Sequence, residues 1–276
     1  MRNEIYLDNS ATTPVAEEVL QAMEPYWRIQ YGNPSSPHLR GVAAENTLNS
    51  NRKQLARLLQ AEPEHLYFTA SGTEANNIAI LGAASSPFFR RNPGHIITTP
   101  IEHPSVLRVI DHLKELGWSA SYLKVDRYGH VDAQEVASLL QPTTRIVSVM
   151  LVNNELGTIA PVREIGRLID AANRERQHKI VFHVDAVQSL GHVPISIPDL
   201  KAHLVSFSGH KIFGPKGIGL LYANRQAQLR PIMFGGDQER GLRPGTENIP
   251  AVAGLTKAAQ LVLDSLAENV QQLEKL

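Results

Sequence analysis

The 276-residue chain contains no cysteine. That absence excludes disulfides, thiolate-bound metals and any step that would use a thiol of this chain. An excess of charge of either sign is missing too, because 27 basic and 27 acidic residues cancel. A formally neutral chain offers no broad electrostatic surface for nucleic acid or an anionic membrane. No apolar run approaches the eighteen or so residues of a membrane span, and no basic start followed by an apolar segment marks a signal peptide. A cytoplasmic protein with no direct nucleic-acid or membrane partner is the expectation. Two nucleotide signatures are also absent: there is neither Gly-x-Gly-x-x-Gly nor Gly-x4-Gly-Lys-Ser/Thr, so dinucleotide and P-loop readings have no motif behind them. Eleven histidines form no His-Glu-x-x-His helix and no tight cluster, which argues against a dedicated metal site. His38, His112, His130 and His178 read as surface or loop residues.

With 42% hydrophobic residues, the chain can bury a substantial core and is expected to form one large domain. Apolar strand candidates occur at 65–70, 95–99, 120–125, 145–152, 179–185, 203–208 and 217–223. Helical candidates lie between most of them, among them Pro104 to Leu116, Asp132 to Leu140 and Pro161 to Arg174, with Pro104 and Pro161 suited to a first turn. Such alternation predicts βαβ units in a three-layer α/β domain with a mostly parallel sheet. Pro87, Arg90, Arg91, Asn92, Pro93 and Gly94 read as an exposed loop, and the glycines of Gly235 to Gly241 suggest a flexible one.

Three segments carry chemistry. Ser206 to Lys211 puts a lysine directly after an apolar strand and a small, hydroxyl-rich turn. Desolvation at such a strand end lowers an amine's pKa and makes it a nucleophile. A single lysine of this kind is usually a solvated surface charge, so its neighbours decide the reading. Lys179 to Gln188 is a second, nearly continuous apolar run, ending in the carboxylate of Asp185. In open α/β sheets ligands bind outside the carboxyl ends of strands, so Lys211 and Asp185 face one pocket if their strands are neighbours. Pyridoxal phosphate needs both: a lysine for its aldehyde and an acid beside its ring nitrogen. Its phosphate needs an anion site, and Leu66 to Asn77 supplies a strand running into a helix, with Gly72 and Thr73 at the helix N-terminus.

These residues, with the motifs around them, resemble the NifS- and IscS-like cysteine desulfurases, class V of the aminotransferase-like (fold type I) pyridoxal phosphate enzymes. The resemblance runs through Ile5 to Pro14, Tyr31 to Ser36, Ser71 to Glu74, Glu102-His103, Val152 to Gly157, the Asp185 and Lys211 segments, Gly214 to Gly217 and Arg243 to Asn248. It implies that Lys211 holds the cofactor covalently and then moves a proton at the substrate's α-carbon. Asp185 becomes the partner of the ring nitrogen. His103 stacks on the ring and assists proton transfer. Asn154 and Gln188 bond the phenolic oxygen. Thr73, Ser208 and His210 contact the phosphate beside Gly72. Thr246 reaches the phosphate of the neighbouring subunit, so a homodimer with shared active sites is implied, with the Gly235 to Gly241 loop near them.

The reaction implied converts L-cysteine to L-alanine and leaves the sulfur as a persulfide on an enzyme cysteine, for delivery to an acceptor protein in iron-sulfur, thio-cofactor or tRNA thiolation chemistry. A chain without cysteine cannot carry that persulfide. In the family the thiol and a carboxylate-binding arginine belong to a smaller C-terminal domain. On this reading residues 1–250 form the cofactor-binding large domain, with an N-terminal arm over about 1–15, and 251–276 begin the interdomain helix, the stretch from Ile249 to Leu276 reading as one helix without a stop signal. An incomplete product, one half of a split enzyme whose partner chain carries the C-terminal domain, and a non-catalytic cofactor-binding scaffold are all compatible with this. Another class V aminotransferase, a selenocysteine lyase or a kynureninase-like hydrolase shares the same lysine and aspartate.

Overall fold

The computed structural model describes residues 5–85 and 92–275. Seven strands form one sheet: β1 (Leu66–Thr69), β2 (His95–Thr98), β3 (Ser119–Tyr122), β4 (Thr144–Met150), β5 (Val181–Asp185), β6 (Leu204–Ser208) and β7 (Gly219–Ala223). Their order is β1-β7-β6-β5-β4-β2-β3. β7 runs antiparallel to β1 and β6, and the other neighbouring pairs are parallel. Each lies within two or three residues of its expected position. Pro87, Arg90 and Arg91 of the expected exposed loop lie outside the described residues.

The period-two pleat explains the layers. Ile97, Val147, Phe182, Val184, Val205 and Leu220 face one apolar layer. Ile96, Ile146, Leu204 and Leu221, their immediate neighbours in sequence, face the other. Both sheet faces are thus covered, which is what a parallel sheet requires. The first layer includes α1 (Glu17–Met23) and α2 (Leu39–Leu59), and the second includes α3 (Gly72–Ala84) and α4 (Pro104–Glu115). Residues of α5 (Ala133–Leu139), α6 (Val162–Arg174) and α7 (Ile249–Asp264) join the first layer. Pro104 opens α4 as expected, whereas Pro161 is the N-cap of α6, one residue ahead of the helix. α7 packs on α1 and α2, and Gly254 permits the close approach, since a Cβ there would lie 2.7 Å from Met23 Sδ. His38 caps α2, its Nδ1 accepting from the Gly41 amide at 3.3 Å. Among the described residues no helix is long and apolar enough to cross a membrane.

Two expectations need correction. The stretch after Ile249 is two helices: α7 ends at Asp264, and α8 (Leu266–Leu273) follows across Ser265, whose φ of −97° and ψ of 1° leave the helical region. The Ser265 hydroxyl donates to the Leu261 carbonyl at 2.9 Å, a local bond that competes with the helical ladder. α8 buries no residue, so no packing straightens the join. The loop around Gly235 to Gly241 is also anchored, not free. Glu239 is buried and accepts a bidentate pair from Arg52 of α2 at 2.7 and 2.8 Å, together with the Phe68 amide at 2.9 Å. Arg52 donates further to the Leu66 carbonyl.

This ion pair holds Glu239 and Arg240 at φ 44° and 56°, a left-handed conformation costly for residues with a Cβ. Breaking one side of a buried pair leaves an uncompensated charge, so Glu239→Ala is expected to destabilise the fold by about 3–5 kcal/mol. Urea unfolding monitored by circular dichroism measures this; a loss below about 1 kcal/mol would mean the pair behaves as a surface one.

Candidate active site

The parallel register sets Met150 beside Asp185, and Asp185 beside Ser206, at the carboxyl end of the sheet. After β6 the chain turns through Gly209–Lys211, and α3 and α4 begin at the same end. Between them lies a cavity of about 540 Å³, a size suited to a small-molecule site. Gly72, Thr73, His103, Asn154, Asp185, Gln188, Ser208, His210 and Lys211 all line it, although they are spread over 140 residues of sequence. Thr246 does not; it is exposed on the loop after Gly245.

Asp185 is 4% exposed. Burial raises its pKa, while hydrogen bonds from the Val187 amide and the Asn76 side chain, at 2.9 and 2.8 Å, work to lower it. The carboxylate is therefore oriented through both oxygens. Lys211 is half-buried, and desolvation lowers its pKa against the pull of Asp8 and Asp185. Its Nζ donates to the backbone carbonyls of Ser10 and, at 2.9 Å, Ala11. Gln188 Nε2 donates to the same Ser10 carbonyl at 2.7 Å. The segment is tied down by Thr13, whose amide and hydroxyl both donate to the His210 carbonyl, and by Thr12 Oγ1, 3.1 Å from His210 Nδ1. Burial also lowers the pKa of His210, helped by Lys211 and Lys216.

The N-terminus of α3 has the geometry that an anion site needs. Ser71 caps it by accepting from the Glu74 amide, which leaves the first-turn amides of Gly72 and Thr73 toward the cavity end. Gly72 is required by space: a Cβ there would meet Val187 Cγ2 at 2.7 Å and Ser208 Cβ at 3.3 Å. Ser208 Oγ is buried beside it with no hydrogen-bond partner among the described residues. A hydroxyl donor and helix amides converging on one spot form a match for a phosphate. Among the described residues, no group of three or more His, Asp or Glu is arranged to hold a metal ion.

Several site groups were not singled out from sequence. Ser10 and Ala11 act through backbone carbonyls, which no side-chain pattern reveals. Asn76 is the fifth residue of α3 and Ser105 the second of α4, and both read as ordinary helical polar residues. Glu102, quoted only as part of a Glu-His pair, is buried behind the cavity wall. Its Oε1 accepts from the Thr99 hydroxyl at 2.8 Å and the Met150 amide at 2.9 Å, tying the end of β2 to the end of β4. Burial pushes its pKa up to about 8, those two bonds oppose the shift, and Asp185 adds to it.

Glu102 therefore carries a proton at neutral pH. A carboxyl whose folded pKa is raised contributes stability that is fully present below its ordinary value and is lost as pH rises toward about 8. Glu102→Gln stays neutral in the same shape, so its stability relative to the native chain should improve from pH 4.5 to 8 and level off above. Urea midpoints across that range measure the difference; a pH-independent one would show that Glu102 ionises normally.

The aminotransferase class-V family model matches residues 5–276. The cysteine desulfurase IscS of Methanosarcina thermophila is 44% identical over 273 residues, covering 99% of this chain and 65% of that protein. A solved structure described as a NifS-like protein superposes with a TM-score of 0.93 at 38% identity, covering 98% of this chain and 73% of that one. Another, SspA in complex with cysteine, gives a TM-score of 0.87 at 38% identity, covering 93% of this chain and 72% of that one. The chain spans about two thirds of the length of the curated relatives it matches. With a mixed sheet, a lysine and a buried aspartate meeting at its carboxyl end, and a family match over nearly all its length, this chain belongs to the class-V aminotransferases, a family of pyridoxal phosphate-dependent enzymes.

Proposed function

We propose that the cavity binds pyridoxal 5'-phosphate and that this chain is the cofactor-holding part of a cysteine desulfurase. The observation that carries the reading is the meeting of Lys211, buried Asp185 and the α3 N-terminus in one cavity. The residues fit the group. The Gly72 and Thr73 amides, the Ser208 hydroxyl, unpartnered among the described residues, and His210 would hold the phosphate. Asp185, whose charge burial disfavours, gains an offsetting partner in a protonated ring nitrogen. Asn154 and Gln188 would serve the phenolic oxygen, and His103, which also lines the cavity, would cover the ring.

When bound, the cofactor supplies an aldehyde for covalent attachment and a protonated ring that withdraws electrons from the substrate carbon. Desolvation of Lys211 enlarges its neutral amine fraction, as a nucleophile requires. The Lys211 amine would also be the base that takes a proton from the substrate's α-carbon and returns one. His103 is the second proton carrier on the cavity wall.

The overall change balances as L-cysteine plus a thiol giving L-alanine plus a persulfide: the carbon–sulfur bond breaks and a sulfur–sulfur bond forms. That thiol is absent from these 276 residues, so in this proposal a C-terminal-domain segment or partner chain brings it, with the carboxylate-binding arginine. A sulfur-acceptor protein then takes the persulfide for iron-sulfur or thiolation chemistry. Exposed Thr246 fits a contact with the phosphate held by a second copy in a homodimer. The cysteine desulfurase relative and the neighbour solved with cysteine support the choice of substrate.

The test is visible absorption of the purified chain with pyridoxal phosphate, followed by borohydride reduction and peptide mass analysis. The native chain should develop a visible band and carry the reduced adduct on Lys211, whereas Lys211→Ala should lose both. An equal band in the variant, or label on another lysine, overturns the assignment. Added L-cysteine should yield stoichiometric alanine only when a thiol-bearing partner is present; release of a keto acid instead would point to transamination.

A further inference from the structure

The pleat of β5 turns Asp185 toward α3 and α4, and the two helices answer with one polar residue each. Asn76 of α3 is 1% exposed and Ser105 of α4 is 8% exposed. Asn76 Nδ2 donates to Asp185 Oδ2 and to Ser105 Oγ, both at 2.8 Å. An amide nitrogen has two protons and no acceptor capacity, so both partners must accept. Ser105 Oγ, having accepted, still has its own proton to give. It lies 2.8 Å from His103 Nδ1. The Ser105 backbone amide also donates to that nitrogen at 3.1 Å, so Nδ1 is an acceptor and carries no proton.

We propose that Asn76 and Ser105 are positioning residues for His103: they form a directed chain of hydrogen bonds from Asp185 to the imidazole and fix its neutral form with the proton on Nε2. The inference concerns residues 76 and 105, which the proposed function leaves without a role, and it rests on that function for the meaning of His103. Its geometry does not depend on a cofactor. Direction is the essential property. Asn76 supplies both donors at its end, so the serine hydroxyl can point only toward the histidine. The same amide orients Asp185, so the carboxylate and the imidazole share one rigid support. With Nδ1 satisfied at the N-cap of α4, Nε2 is the ring atom without a hydrogen bond among the described residues, and so the one available for proton exchange.

Asn76→Asp tests direction, because it keeps shape and volume while replacing the donor with an acceptor. The Ser105 hydroxyl should then turn to the new carboxyl and abandon His103. Ser105→Ala removes the hydroxyl outright, and Ser105→Thr keeps it. The readout is the imidazole nitrogen-15 spectrum of the ring-labelled chain without cofactor. The native chain and Ser105→Thr should show a hydrogen-bonded Nδ1 and a protonated Nε2. In Asn76→Asp and Ser105→Ala, Nδ1 should move downfield by the same amount, and the double variant should move no further. A packing role alone would leave the isosteric Asn76→Asp signal at its native position, and that result overturns the proposal. If the introduced carboxyl unfolds the chain, Ser105→Ala against Ser105→Thr decides: equal Nδ1 shifts in the two would also overturn it. Pyridoxal phosphate added to the native chain afterwards keeps the two readings apart. A native chain with the expected nitrogen-15 pattern but no visible band would fail the proposed function and leave the hydrogen-bond chain standing.

Discussion

The parallel pairing of β5 with β6, Asp185 against Ser206, is the constraint on which the site depends. Side chains alternate, so Val181, His183 and Asp185 share the α3–α4 face with Leu204, Ser206 and Ser208. A one-residue slip would turn Asp185 into the apolar layer under α2 and α7 and put Val184 or Ala186 in its place at the cavity. Buried polar rungs pin the register. His183 lies between Ser148 and Ser206, at 2.9 and 3.0 Å from their hydroxyls, and burial pushes its pKa down to about 3. A neutral imidazole hydrogen-bonded on both sides fits only one alignment of three strands. β7 completes the frame antiparallel to β6, and the Gly209 amide bonds the Ile218 carbonyl, so the lysine turn is held from its own base.

Desolvation is the common physical cause at this end of the sheet. It pushes Asp185 and Glu102 up and Lys211 and His210 down. All four shifts favour neutral forms, so each group holds or releases a proton more readily near neutral pH than it would in water. The differences lie in the bonds that oppose burial. Asp185 has two donors and the nearby Lys211 in its favour, while Glu102 has an oxygen with no hydrogen-bond partner among the described residues. One carboxyl is therefore prepared to carry charge once a cation faces it, and the other is a neutral brace between two strand ends.

Much of this was legible in the sequence because the relevant signals are local. Apolar runs ending in Asp185 and Ser208 mark strands, and strand ends in an α/β sheet mark the ligand side. The Gly72 turn is equally local. What could not be read was what other elements contribute through backbone or single polar atoms. The carbonyls of Ser10 and Ala11 have no residue signature. The helix Leu39–Leu59 was not singled out, and its buried stripe includes Arg52, a charge where periodicity asks for an apolar residue. Arg52 makes sense only with Glu239, 187 positions away. The same distant pairing turns a glycine-rich segment that reads as flexible into an anchored one.

That anchoring bears on how the loop of Thr246 is presented. It is fastened on two sides, and both attachments end on the segment that builds the anion site. Glu239 binds Arg52 and the Phe68 amide of β1. Arg243 binds Glu74 at 3.1 Å, and Glu74 also accepts from the Ala70 amide just ahead of the Gly72 turn. Arg240 adds a third contact, stacked 4.0 Å from the Tyr67 ring and bonded to the Leu66 carbonyl. The loop and the turn are therefore tied together by side-chain contacts. Glu74 shares a helical turn with the Gly72 and Thr73 amides, and Arg243 ties that turn to the approach to Thr246. The link between the helix N-terminus and the loop is thus one ion pair, between the residue after Thr73 and the arginine three before Thr246.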